Sequence, residues 1–124
     1  MTRRQNTWLL RDESLQQPHG AVRADLVTEV ATLQAGERHL FMVELDGGRC
    51  ARLGSCPGEY RDRMMTGLLS ALAQADESQA HFVVIKAIPE SQQDGPDANF
   101  WSFHENKVPD SAPGWAALVV PAQR

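Results

Sequence analysis

Between Pro57 and Ala75 the apolar residues Tyr60, Met64, Leu68 and Leu72 recur at every fourth position, with Met65 and Leu69 beside them. That spacing draws one broad stripe along a helix. Pro57 suits a first helical turn and Glu59 complements the N-terminal dipole, so a helix is expected from Pro57 to about Ala75. "AHFVVIKAIP" (Ala80–Pro89) is short, β-branched and nearly continuous in apolar content. It reads as a buried strand that Pro89 ends for want of an N–H. "RHLFMVELDGG" (Arg38–Gly48) reads as a strand from about His39 to Leu45 with a turn at Asp46-Gly47-Gly48, after which Arg49–Leu53 resumes extended structure. Thr7–Arg11 is a further short strand. The polar "ESQQDGPDAN" is a loop leading into "FWSFHENKV", a short strand or hairpin arm. The tail carries an apolar run, Trp115 to Val120, which is expected to pack on this domain or on a neighbouring subunit.

The segment Ala21–Leu33 fits two periods. Val22, Leu26, Val27, Val30 and Leu33 make a helical face, while Val22, Ala24, Leu26, Thr28 and Val30 alternate as in a strand. An internal match separates the two. "HGAVRADLVTEV" (His19–Val30) lies 38 positions before "PGEYRDRMMTGL" (Pro57–Leu68), with Gly20 on Gly58, Arg23 on Arg61 and Leu26 on Met64. His39–Val43 likewise falls on His81–Ile85. The match favours a helix for Ala21–Leu33 and a chain of two similar β-α-β units, 7–45 and 49–88, followed by a hairpin and packing tail over 99–124. The expected fold class is α+β, a four-stranded sheet with two helices on one face.

A chain of 124 residues makes one domain, residues 1–124, by the usual prior of roughly 100–200 residues each. Its formal charge of −4, with acids and bases interspersed, supplies no basic stripe, so nucleic acid is not an expected partner. No stretch approaches the roughly 20 apolar residues of a membrane span, and the N-terminus lacks a signal-peptide apolar run. Cys50 and Cys56 form neither a disulfide framework nor a zinc set, which points to two thiols in a reducing cytoplasm.

A β-α-β-β-α-β order has two common solutions, a ferredoxin-like fold and the tautomerase superfamily, the group of oxalocrotonate tautomerase and macrophage migration inhibitory factor. Three stretches favour the second. "LGSCPGEYRDRMMTGLLSAL" resembles that family's strand end, turn and following helix; "AHFVVIKAIPE" is similar to its next strand; "NFWSFHENKV" resembles its active-site hairpin. The resemblance spans about Thr7 to Val108. It implies cofactor-independent proton-transfer chemistry on a small carbonyl or enolisable substrate and assembly as a homotrimer. The family's catalytic amino-terminal proline has no counterpart, because no proline precedes Pro18; its substrate arginine falls on Ser55 or Cys56, and a second on His81 or His39.

Candidate chemistry follows from residue type. His39 and His81 occupy equivalent strand starts, and a neutral imidazole with an unperturbed pKa of about 6.5 moves protons near neutrality. They are the candidate catalytic pair. Arg11, Arg49 and Arg52 lie on or beside strand ends and could clamp a substrate carboxylate bidentately. Trp101, Phe103 and His104 could wall an apolar pocket with one polar tip. Cys56 stands just ahead of a helix N-terminus, where the dipole favours a thiolate, but with no histidine partner visible in sequence a half-buried thiol is the expectation. "LDGGRC" lacks any phosphate-loop frame, and no histidine has partners at metal-ligand spacing, so neither cofactor nor metal is expected. Two readings result: a small-molecule isomerase, cyclase or hydratase without the proline, or a non-catalytic binding or interaction module.

Overall fold

The computed structural model describes residues 6–12, 20–93 and 99–106. Within them the chain is α+β, rich in strand, with one α-helix and two sheets. In chain order it runs β1 (Thr7–Leu10), β2 (Ala21–Arg23), a 3₁₀ turn (Ala24–Leu26), β3 (Val27–Ala35), β4 (Arg38–Leu45) and β5 (Cys50–Pro57). A second 3₁₀ turn (Gly58–Tyr60) leads into α1 (Arg61–Asp76), then β6 (Phe82–Ala87), a third 3₁₀ turn (Glu90–Gln92) and β7 (Trp101–Asn106). One sheet has the order β2-β1-β6-β7, with β1 parallel to β6 and the other pairs antiparallel. The second is an antiparallel meander, β3-β4-β5. Among the described residues no helix is long and apolar enough to cross a membrane.

The meander is built by its turn chemistry. Ala35 pairs with Arg38, so Gly36 and Glu37 alone make the β3–β4 loop. Gly36 has φ +66° and, among the described residues, no non-glycine residue has positive φ, which is the sign pattern of a type II′ turn with glycine first. At the β4–β5 turn, Gly48 N–H donates to Leu45 O at 3.0 Å, with Gly47 at φ +86° and Gly48 at +79°. The expected turn at Asp46-Gly47-Gly48 is where the chain reverses.

The helix stripe also folds as its spacing requires: Met64, Leu68 and Leu72 are buried, joined by Ala71 and Ala75. Its start differs. Pro57 closes β5 opposite Arg38, and the 3₁₀ turn stands between it and α1. The strands expected over Thr7–Arg11, His39–Leu45 and Ala80–Pro89 are β1, β4 and β6.

Ala21–Leu33 is not helical. It forms β2, a 3₁₀ turn and most of β3, and Leu33, assigned to the buried helix face, is 58% exposed. The physical reason lies in Val27, Thr28, Val30 and Thr32, whose β-branched side chains favour a pleated surface. There Val30 faces Val43 and Thr32 faces Phe41. The 38-position match is therefore one between two amphipathic segments of different secondary structure. Residues 7–45 are not a β-α-β unit, and the second helix of the expected four-stranded, two-helix arrangement is absent among the described residues. The tail from residue 107 lies outside the described residues.

The core lies between the two sheets and the helix. Leu9, Phe41, Val43, Leu53, Met64, Leu68, Val83 and Ile85 form one buried cluster drawn from both sheets and α1. Each such side chain contributes about 1.5–3 kcal/mol on burial. Phe41 of the meander meets Trp101 of the other sheet edge to face, centroids 6.1 Å apart at 82°. Gly54 marks the closest approach: a Cβ there would stand 2.4 Å from Ala87 Cβ. Only glycine lets β5 and the end of β6 meet at that distance.

Candidate functional site

Directly over this seam is a cleft of about 470 Å³, within the usual range for small-ligand sites. Leu53, Gly54 and Ser55 of β5 line one side, and Lys86 to Glu90, at and beyond the end of β6, line another. Arg11, Asp12 and Arg38 complete the rim. The local sequence explains the shape. Pro89 breaks the β6 ladder, and the 3₁₀ turn after it swings Glu90 back toward Ser55, with Gln92 N–H donating to Pro89 O at 2.9 Å. Gln93 pins the turn: its Nε2 donates to Ser55 O at 3.0 Å and to Ile88 O at 2.9 Å.

The polar side chains fall into two bound groups and two unspent cations. Ser55 Oγ donates to Glu90 Oε2 at 2.5 Å and accepts from Arg38 Nη2 at 3.3 Å. Arg38 also grips Glu90 Oε2 directly, Nε at 2.9 Å and Nη2 at 2.7 Å. The second group is the largely covered pair Arg52 Nε–Asp12 Oδ2 at 3.1 Å, beside a backbone bond from Asp12 N–H to Arg52 O at 2.9 Å. Both carboxylates of the cleft are thus neutralised within the protein. Arg11 and Lys86 have no carboxylate partner among the described residues. Leu53, Ala87, Ile88 and Pro89 supply the apolar part of the lining.

Cys56, the next residue along β5, is fully covered. Burial pushes its thiol up from 9.0 to about 11, with Glu90 raising it further and Arg61 partly opposing. It is a protonated thiol at neutral pH and no nucleophile. Cys50 is exposed, and both cysteines are free.

The residues nominated from sequence are scattered. Arg11 lines the cleft; Arg52 borders it but is committed to Asp12; Arg49 is exposed in the β4–β5 turn. His39 lies in β4, opposite Cys56, with Nδ1 buried and without a hydrogen-bond partner among the described residues. His81 precedes β6, exposed, its ring edge-on to Phe82 at 6.0 Å. His39 lies in the meander and His81 just ahead of β6 in the other sheet, and neither lines the cleft. His81 stands about 17 Å along β6 from Lys86 at the usual rise per residue. Trp101 and Phe103 line a separate, wider groove of about 920 Å³ between α1 and β7. Trp101 donates Nε1–H to Met64 O at 2.8 Å, and His104 is exposed on β7 opposite Val84.

Sequence reasoning missed Arg38, Ser55, Lys86 and Glu90. The one usable signal was Gly54, a glycine inside a strand, which marks close backbone approach. Nothing local joins Arg38 to Glu90. Among the described residues no cluster of three or more His, Cys, Asp or Glu side chains could hold a metal. Comparison of the chain with protein-family models, with curated proteins and with solved structures found no match.

Proposed function

We propose that the chain is a binding module for a small organic anion, held in the cleft between β5 and the end of β6. The observation that carries this reading is the charge inventory: Asp12 and Glu90 are satisfied internally, while Arg11 and Lys86 line the same cleft without acidic partners among the described residues. A ligand anion would find two cations that lose nothing by turning to it. The apolar wall of Leu53, Ala87, Ile88 and Pro89 suits a short hydrocarbon body behind the charged head.

The rival reading is a tautomerase-type enzyme that has left the amino-terminal proline. It needs a proton-transfer group beside the anion site, and His39 and His81 do not line the cleft. That placement favours binding over turnover. The two unpaired cysteines are compatible with the reducing cytoplasm expected for it.

The test is an amide-resolved NMR titration of the full chain with butyrate, butanamide and butylammonium, which share one hydrocarbon body. Butyrate should shift the amides of Gly54, Ser55 and Lys86 to Ile88, and Arg11→Gln with Lys86→Gln should weaken it at least about tenfold, one lost charged contact being worth about 1.4 kcal/mol or more. Equal response to the three compounds removes the anion reading. Silence of the cleft amides removes the site. Ketonisation of the enol tautomer of an α-keto acid by the wild-type chain, lost in His39→Ala and His81→Ala, would instead establish the enzyme.

A further inference from the structure

The free edges of the two sheets are not alike. In the four-stranded sheet, β2 is only three residues long, and α1 and the wide groove flank β7. In the meander, β5 is joined beyond its edge by the backbone bond from Asp12 N–H to Arg52 O and by Gln93 on Ser55 O. β3 is different. It is nine residues long, pairs only with β4 among the described residues, and carries one charge, Glu29. Natural edge strands are guarded by brevity, lysine, proline or a central bulge. β3 has no lysine or proline, and its irregularity lies at one end, between Val27 and Glu29.

The outer face of the meander extends that edge. Phe41, Val43 and Leu45 are buried, so Leu40 and Met42 lie on the opposite face, where Leu33 pairs with Leu40 and Ala31 with Met42. The apolar row therefore runs to the rim and ends at Leu33, the most exposed large hydrophobic residue described.

We infer that β3 is a homodimer edge, pairing antiparallel with β3 of a second copy about a two-fold axis through Thr32. The pattern of the strand is self-complementary in this register. Thr32 faces Thr32 of the second copy, a favourable cross-strand pair; Ala31 faces Leu33, so each exposed leucine is covered and the apolar row continues across the axis. Glu29 faces Ala35 rather than another acid. One isologous contact satisfies both open backbone edges at once and closes the assembly, joining two three-stranded sheets into one of six strands. A foreign strand would satisfy one edge per contact and has no reason to match this register. A trimer cannot form from such a contact.

The experiment is hydrogen exchange and sedimentation equilibrium on the full chain across a range of concentrations. The mass should rise toward twice that of the chain, and protection of the amides from Glu29 to Ala35 should rise with it. Leu33→Lys and Ala31→Lys, both at exposed positions, should each weaken dimerisation at least tenfold, whereas Leu69→Lys, at a comparably exposed leucine on α1, should not. A monomeric or trimeric mass overturns the inference. So does β3 protection that is independent of concentration, or an unchanged dimer in both lysine variants. Protection of β3 gained only on adding a peptide of foreign sequence would make it an acceptor edge for another chain and would equally overturn the homodimer.

Discussion

The two sheets of this protein are made in opposite ways. The meander β3-β4-β5 is one continuous stretch, Val27 to Pro57, whose strands pair with their sequence neighbours across two tight turns. The four-stranded sheet takes its central pair, β1 and β6, from opposite ends of the described chain and runs them parallel, Thr7 beside Val83 and Leu9 beside Ile85. The first sheet needs only glycines of the right handedness and β-branched neighbours. The second must close a loop of about seventy residues before its central ladder forms, a cost that grows slowly with length but precedes any reward. The cleft lies where the locally built sheet meets the remotely built one, at Gly54 and Ala87.

The largest effect is expected at the core that the two sheets share. Phe41→Ala empties a fully buried site against Trp101 and should cost about 3–5 kcal/mol in chemical denaturation. Both sheets should lose amide protection in a single transition. Retention of a protected meander after the other sheet has melted would show two independent units. Next in size is the seam. Gly54→Ala drives a methyl into Ala87 and should cost about 1–3 kcal/mol, and Ala87→Gly in the same chain should recover most of it. Two additive losses would mean that the sheets do not press on each other there.

A pH series sharpens the meander side. The Cys56 thiol ionises near 9.0 when unfolded and near 11 when folded, so between those values the native state holds the proton more tightly. Stability should therefore fall as pH rises from about 9 to 11, by up to about 3 kcal/mol for this one group, and be unaffected by it below that window. Subtracting the profile of Cys56→Ala isolates the contribution from other alkaline titrations. Identical slopes in the two proteins would mean that the thiol is solvated. The smallest effect is expected at the rim, where Arg38 is half exposed: Arg38→Gln should change stability by less than about 1 kcal/mol while leaving both sheets intact.

How far the fold was legible follows the same division. α1 was readable because Met64, Leu68 and Leu72 repeat with the helix's own period, and the β4–β5 hairpin because Asp46-Gly47-Gly48 is turn chemistry at a fixed place. Ala21–Leu33 misled because Val22, Leu26 and Val30 belong to the helix template and to the strand template alike. Its β-branched content was the better guide, and the match to a true helix outweighed it. At the site, Arg11 was visible as a cation beside a strand end. Arg38, Ser55 and Glu90 were not, since the ion pair spans 52 positions and each residue is unremarkable in its own neighbourhood.

From the sequence came most of the local grammar: the strands outside Ala21–Leu33, the reversal at Asp46-Gly47-Gly48, the place of α1 and which of its faces is apolar. Those properties depend on side-chain period and on backbone preferences within a few residues. Tertiary structure alone decided that β1 joins β6 and that, among the described residues, two sheets form rather than one and two cations line the cleft over Gly54 without acidic partners. These depend on which remote surfaces win the competition for burial, and burial of apolar area has no direction along the chain.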